Sequence, residues 1–299
     1  MSSRLQPASM ARSIVDGEFV MTAVDFRAIA DMIYADAGIA LSDSKTLLVY
    51  SRLAKRLRAL KLINFAEYCA LIKSTAGTEE RGNMLAALTT NVTRFFREPH
   101  HFDHLAKSIL PPALDVAKRG GRVRLWSSAC SSGQEPYSMA LTLLRLMPDA
   151  ARYDIRILAT DIDPNMVQDA KAGIYPAQLA EDIPVDLRRR WVQDVDGEPG
   201  SVEMAPVVRA LVEFRTLNLV KAWPMRGPFQ AIFCRNVMIY FDAETQSQVC
   251  ARMAPLLSPD GALYIGRSER VAGPASAILR VDGITTYRRT ASVDERAAS

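Results

Sequence analysis

From residue 122 onward, short apolar runs alternate with helical stretches, and this constrains the fold more than any other feature of the chain. The strand-like runs are RVRLWSS (122–128), IRILAT (155–160), VEFRTLN (212–218), FQAIFC (229–234), GALYIG (261–266) and ITTYRR (284–289). Helical segments such as YSMALTLLRLM separate most of them. Strand and helix in alternation imply an α/β fold: a doubly wound, mostly parallel sheet covered on both faces, here expected over 91–290. The last two runs have little helix between them and predict an antiparallel edge pair. Residues 192–211 (VQDVDGEPGSVEMAPVVRAL) break the alternation with Gly197, Pro199 and Gly200, and read as a small hairpin-type β-subdomain insertion.

Helical periodicity dominates residues 21–90, which predicts an all-helical domain. In VDFRAIADMIYADAG the apolar positions Phe26, Ile29, Ile33 and Tyr34 share one face, with Asp25 as N-cap and Gly38 as the stop. In SDSKTLLVYSRLAKRLRALKL an apolar stripe runs through Tyr50, Leu53, Leu57 and Leu60. Arg52, Lys55, Arg56 and Arg58 point away from that stripe. Asn64 with Glu67 resembles a capping box for a third helix through Tyr68, Leu71 and Ile72, and a fourth helix carries Met84, Leu85 and Leu88. The basic helix reads either as a solvated face or as a docking surface for an acidic helix or a phosphate backbone. Residues 1–20 and 291–299 read as a disordered leader and tail.

Several function classes are disfavoured. No stretch of about 18 apolar residues occurs, so no membrane insertion is expected, and the first residues lack the apolar core of a signal peptide. The four cysteines, Cys69, Cys130, Cys234 and Cys250, form no CxxC pair and suggest no disulfide frame, which fits a reducing, cytoplasmic setting. The net charge of +4 is mild and does not by itself imply nucleic acid. The three histidines, His100, His101 and His104, fall in one segment. His100 and His104 have the i,i+4 spacing of a helical metal pair, but no nearby cysteine or HExxH pattern supports one, and no metal is expected.

An open α/β sheet binds its ligand beyond the carboxyl ends of the strands. After the first strand comes SSACSSGQEP, where small side chains let the backbone approach a ligand, followed by Glu135 and by Pro136 at a helix start. Asp161 follows the second strand, placed to accept hydrogen bonds from ribose hydroxyls. Asn218 follows the third and Arg235-Asn236 the fourth. The loop has a single glycine and is not GxGxxG, the pattern that a pyrophosphate requires. A nucleoside-bearing sulfonium without phosphate needs carboxylates and small residues instead. S-adenosylmethionine is thus favoured over a dinucleotide, with a nicotinamide dehydrogenase as the alternative.

Longer strings sharpen this. NVTRFFREPHHF (91–102), WSSACSSGQEPYSMA (126–140), ATDIDPNMVQDAKAGIYP (159–176), FQAIFCRNVMIYFD (229–242) and GRSERV (266–271) closely resemble the CheR family of chemotaxis protein-glutamate O-methyltransferases, in the right order and over about residues 22–289. The resemblance implies an N-terminal helical domain that docks on the receptor, a Rossmann-like methyltransferase domain and a small β-subdomain. It implies that Asn91, Thr93 and Arg97 lie along the cofactor, that Glu135 and Asp161 bind it, that Asn218 and Leu219 lie next to the adenine, and that Arg235 and Asn236 line the far side of the pocket. Arg97 and Tyr240 are the positions nearest methyl transfer. One departure, Cys130-Ser131-Ser132 in the loop, puts little in doubt.

The reaction so implied is in-line attack of a substrate glutamate on the sulfonium methyl, giving a glutamate methyl ester and S-adenosylhomocysteine. The implied partners are the cytoplasmic methylation helices of chemoreceptors. The enzyme is expected to be a monomer recruited to membrane receptor arrays. A glutamate with pKa about 4.3 is already ionised at neutral pH and needs no general base, and no Ser-His-Asp or Cys-His arrangement is evident. Arg97 can orient a carboxylate by two hydrogen bonds. Arg52, Lys55, Arg56 and Arg58 offer positive charge to an acidic receptor helix. Two rival readings are a methyltransferase acting on RNA or another protein, and a cofactor-binding module that has lost catalysis.

Overall fold

The computed structural model describes residues 12–290, and the chain divides into two units, one ending at Thr89 and the next beginning at Thr90. Residues 1–11 of the expected leader, and the expected tail at 291–299, lie outside the described residues.

The first unit is helical: α1 (Ala23–Ala37), α2 (Thr46–Leu60), α3 (Phe65–Lys73) and α4 (Thr78–Leu88). The N-cap of α1 is Thr22 rather than Asp25. The Thr22 side chain accepts from the Asp25 amide, and the Asp25 carboxylate accepts from the Thr22 amide at 2.9 Å. Asp25 is therefore the third residue of a capping box that satisfies two otherwise unpaired donors. Gly38, at φ 69°, ends the helix in the left-handed conformation. The buried face of α2 is Val49, Leu53, Ala54 and Leu57, rotated slightly from the expected stripe, so that Tyr50 and Leu60 flank it.

Residues 12–20 are packed, which corrects the expected leader over that part of its range. Val15 and Phe19 are buried. The Ile14 amide donates to the Met21 carbonyl at 2.8 Å, and the Phe65 amide to the Val20 carbonyl at 3.1 Å. The Tyr50 hydroxyl accepts from the Phe19 amide at 2.9 Å. Low local periodicity does not prevent ordering when two apolar side chains find a helical surface to cover.

The second unit begins with a helical stretch made of α5 (Pro99–His104), a π turn (Leu105–Ile109) and α6 (Leu110–Lys118). It continues with β1 (Val123–Ser127), α7 (Gln134–Leu146), β2 (Ile155–Asp161), α8 (Pro164–Ala172), β3 (Ile174–Pro176), α9 (Val185–Trp191), β4 (Val192–Asp194) and β5 (Ser201–Met204). Then come α10 (Pro206–Arg209), β6 (Val212–Thr216), β7 (Phe229–Cys234), α11 (Ala243–Met253), β8 (Leu257–Ile265), β9 (Leu279–Gly283) and β10 (Thr286–Arg289). Among the described residues the main sheet has seven strands, in the order β6-β2-β1-β7-β8-β10-β9. β6, β2, β1, β7 and β8 run parallel, and β10 is antiparallel to both β8 and β9. Strand order reverses between β1 and β7, the switch point at which an open sheet leaves a crevice beyond its carboxyl ends. The core covers both faces: Trp126 of β1 is fully buried, and α7 buries nearly its whole length.

The β-subdomain is larger than the expected hairpin at 192–211. It is a separate three-stranded antiparallel sheet, β3-β5-β4, that starts at Ile174, while Pro206–Arg209 is helical. β3 has only three residues, too few to show a period-two pattern, and it is recognised only by its pairing of Ile174 with Glu203 and Pro176 with Ser201.

Candidate active site

The carboxyl end of β1 leads into a loop that is tied to both neighbouring strands. The Ser128 amide donates to the Phe233 carbonyl of β7 at 2.9 Å, and the Cys130 amide to the Thr160 carbonyl of β2 at 2.8 Å. The Thr160 hydroxyl donates to the Ser128 carbonyl and accepts from the Trp126 indole. Ser131 at φ 50° and Gly133 at φ 97° bend the chain sharply back into α7.

Asp161, at the end of β2, is buried and accepts from the Ser131 amide at 2.7 Å and from the Asp163 amide at 3.0 Å. Burial pushes its pKa up, and these backbone donors oppose the rise. Each carboxylate oxygen keeps a further lone pair for a ligand donor. Ser131 donates its hydroxyl to the Asn91 carbonyl at 2.9 Å, and the Asn91 amide nitrogen lies 3.4 Å from Asp163. Asn91 therefore joins the rim of the same loop, with Thr93 half-buried two residues on. After β6, the Leu217 amide donates to the Asp161 carbonyl at 2.9 Å, which sets Asn218 and Leu219 beside Asp161. The Asn218 side chain accepts from the Val220 amide. Leu219 is buried, and its carbonyl accepts from both Trp223 and Arg252. The Arg252 guanidinium itself stacks 3.8 Å from the Trp223 ring.

Glu135 opens α7. Its Oε1 accepts from the Ser127 hydroxyl at 2.7 Å, and its Oε2 lies 3.3 Å from Arg235 Nη1. Burial raises the Glu135 pKa, and the Arg235 charge and the Ser127 bond hold it back. The Arg235 side chain is only 1% exposed. It donates to the Arg97 carbonyl, pairs with Glu135, and reaches to 3.6 Å from Glu98. The Phe102 and Phe233 rings lie 5.7 and 5.8 Å away. A guanidinium tolerates this depth because carboxylates and a carbonyl replace the water it loses.

Asn236 takes φ 58°, and its amide donates to Glu269 at 3.0 Å. The turn that follows, Met238–Tyr240, brings the Tyr240 hydroxyl to 3.5 Å from the Thr90 carbonyl, at the start of the Asn91 segment. Arg97 is half-buried and bonds through its side chain to the Val92 carbonyl at 3.0 Å. Asn91, Arg97, Glu135, Asp161, Asn218, Arg235, Asn236 and Tyr240 are thus linked around the carboxyl edge of the sheet.

The basic helix differs in part from expectation. Arg52 donates to the Leu88 and Thr89 carbonyls at 2.8 Å, closing the end of α4. Arg56 pairs with buried Glu80, which also accepts from the Tyr68 hydroxyl. These two arginines turn inward because α4 offers unpaired carbonyls and a buried carboxylate within their reach. Lys55 and Arg58 are exposed, and Arg58 pairs with Glu18 at 2.7 Å. His104 bonds to Tyr264 at 2.9 Å and to Asp282 at 3.0 Å, so both its nitrogens are committed and it does not pair with His100.

Sequence reasoning missed Glu98, Asp163 and Glu269. Glu269 is buried and accepts from the Asn236, Ile239 and Gly266 amides, stitching the turn after β7 to the turn after β8. Burial pushes its pKa up, against those donors. Inspecting the residues after β8, as was done for the other parallel strands, reaches Glu269.

The edge suits S-adenosylmethionine on this chain's own chemistry. Two desolvated carboxylates, Glu135 and Asp161, lie at this edge, and the loop after β1 carries a single glycine, Gly133, rather than a glycine-lined phosphate cradle. Comparison with known proteins agrees. The family described as "CheR methyltransferase, SAM binding domain" matches residues 91–286, and "CheR methyltransferase, all-alpha domain" matches 24–89. A probable chemotaxis protein methyltransferase of Rhizobium etli is 51% identical over 260 residues, 87% of this chain and 97% of the relative. Chemotaxis protein methyltransferase 2 of Pseudomonas aeruginosa is 41% identical over 90% of this chain and 94% of its own. The chemotaxis protein methyltransferase of Escherichia coli is 42% identical over 82% of this chain and 83% of its own.

Proposed function

The chain belongs to the CheR methyltransferase family, and on that premise we propose that it esterifies glutamate side chains of chemoreceptors, with S-adenosylmethionine as methyl donor. The observation that carries this reading is the buried arginine that joins Glu135 to the Arg97 carbonyl. It couples a carboxylate suited to a cationic nucleoside to the residue best suited to aim a second carboxylate.

S-adenosylmethionine supplies an electrophilic methyl group on a sulfonium. Glu135 and Asp161 would hold it, with Asn91, Thr93, Asn218, Leu219 and Asn236 beside them and Arg235 acting from behind through Glu135. The incoming substrate carboxylate is ionised near pH 7 and brings its own electron pair, so no residue has to remove a proton. Two tasks remain for the protein: bringing that carboxylate into line, and replacing part of its water. Arg97 can do both with its forked donors, and Tyr240 can donate one hydrogen bond or wall off the methyl group. The histidines fit a base-free reaction, since burial keeps His101 neutral, its pKa pushed down to about 3, and His104 is held by Tyr264 and Asp282. The exposed Lys55 and Arg58 supply charge for steering an acidic receptor helix.

The test is incubation with isotopically labelled methyl donor and purified receptor cytoplasmic fragments, followed by mild alkali. Glutamyl methyl esters release volatile methanol. Alkali-stable label, or none on any fragment, rejects this substrate.

A further inference from the structure

Beside the Arg235 guanidinium lies a cluster of buried polar atoms. Glu98 sits at φ 58°, an uncommon conformation for a residue other than glycine. This turns its carboxylate inward, where Oε2 lies 3.5 Å from His101 Nδ1. Among the described residues, Glu98 Oε2, His101 Nδ1 and His100 Nε2 have no hydrogen-bond partner. The other nitrogen of fully buried His101, Nε2, lies 3.2 Å from the Ile284 carbonyl oxygen and 2.9 Å from Thr285 Oγ1. A carbonyl only accepts, so Nε2 carries the proton and Nδ1 presents a lone pair to Glu98. Two acceptors facing each other at that distance repel unless a cation or a donor stands between them.

We propose that Glu98 Oε2, His100 Nε2 and His101 Nδ1 form a binding site for a divalent transition metal of the zinc type. One ligand atom from each of the three residues lies within 4.8 Å of those of the other two. Ligands about 2.0–2.2 Å from a tetrahedral zinc ion stand about 3.3 Å apart, so the spacing of Glu98 and His101 is already that of two ligands. His100, the third residue of the cluster, is half-buried. Two imidazoles and one carboxylate favour zinc, cobalt, nickel or copper over magnesium or calcium. The bonds from His101 Nε2 to Ile284 and Thr285 fix the ring and its tautomer, as outer partners of metal-bound histidines do. The Arg235 guanidinium, 3.6 Å from the same Glu98 oxygen, lowers the affinity by charge repulsion. Arg235 is also held by Glu135 at 3.3 Å and by the Arg97 carbonyl, so metal binding draws Glu98 away without leaving Arg235 unpaired. This site is independent of the methyl-transfer reading.

The experiment is titration of the full chain, stripped with chelator, with zinc ion alone near neutral pH, followed by calorimetry. Visible absorption of the cobalt-loaded protein reports the ligand set. One equivalent should bind, and His100→Ala should weaken binding by about tenfold or more. His104→Gln should leave binding intact. The chain has only three histidines and four cysteines, and the cysteines are all buried, so few competing ligands exist. Because His101→Ala can fail to fold, His100→Ala at its half-buried position carries the test, with melting of the metal-free variant as the check on folding. No zinc binding by the parent chain, or binding unchanged in His100→Ala, overturns the proposal.

Discussion

Arg235 Nη1 lies 3.3 Å from Glu135 Oε2, with 1% of the arginine side chain and 13% of the glutamate side chain exposed. The arginine comes from the end of β7 and the glutamate from the start of α7, so the pair closes the switch point of the sheet. Its strength comes from position. The Ser127 hydroxyl bonds the glutamate and the Arg97 carbonyl accepts from the arginine, and such added bonds are what let a buried ion pair hold, although Arg235 Nε has no hydrogen-bond partner among the described residues.

Removing that arginine should therefore cost both stability and cofactor affinity. Arg235→Gln leaves Glu135 and Glu98 desolvated without a cation, a loss of about 3–5 kcal/mol for a broken buried pair. Urea unfolding measures it. Calorimetry with S-adenosylhomocysteine should show binding weakened by roughly tenfold or more, equivalent to about 1.4 kcal/mol. Unchanged values in both would mean that the pair does not hold the site.

Arg97 should behave differently, because its half-buried side chain is anchored by a hydrogen bond to the Val92 carbonyl rather than by a buried ion pair. Arg97→Ala should keep a melting temperature close to that of the parent while receptor methylation falls by about 100-fold, the scale of lost orientation. His104→Gln should retain methylation. Equal losses in the two variants would remove the base-free account.

The docking face can now be tested with better-chosen residues. Lys55→Glu with Arg58→Glu should raise the apparent receptor KM, and should flatten the weakening by added salt. Cofactor affinity should not change. Arg56→Glu is uninformative about docking, because it places a second carboxylate against buried Glu80. Receptor KM unchanged in the double variant would show that the face is only solvated.

The Arg56–Glu80 pair also sets a pH dependence. Burial pushes the Glu80 pKa up, but the bonds from Arg56 and the Tyr68 hydroxyl outweigh it and hold the carboxyl below its ordinary value. The folded state then binds the proton less readily than the unfolded one. This contribution to stability is complete above the ordinary glutamate pKa of about 4.3 and is lost as pH falls through the lower folded value. Urea midpoints should drop on acidification in the parent chain. In Arg56→Ala the midpoint at pH 7 should already be lower and the acid slope shallower. Parallel curves for the two proteins would exclude the pair as their source.

The sequence by itself determined the α/β architecture, the helical first unit and the edge at which the site lies. Each of these rests on local regularity. Alternation of strand and helix forces parallel pairing, and parallel strands carry the residues that follow them, Glu135, Asp161, Asn218 and Asn236, to one side of the sheet. Only the tertiary structure decided which charges are buried against partners and which stay exposed. Arg235 and Arg56 are buried against Glu135 and Glu80, partners 100 and 24 residues away in the chain. Lys55, one residue from Arg56, stays exposed. β3, Glu269 and the cluster of Glu98, His100 and His101 were hidden for the same reason. A partner's identity depends on distances that close only after folding, and no spacing along the chain encodes them.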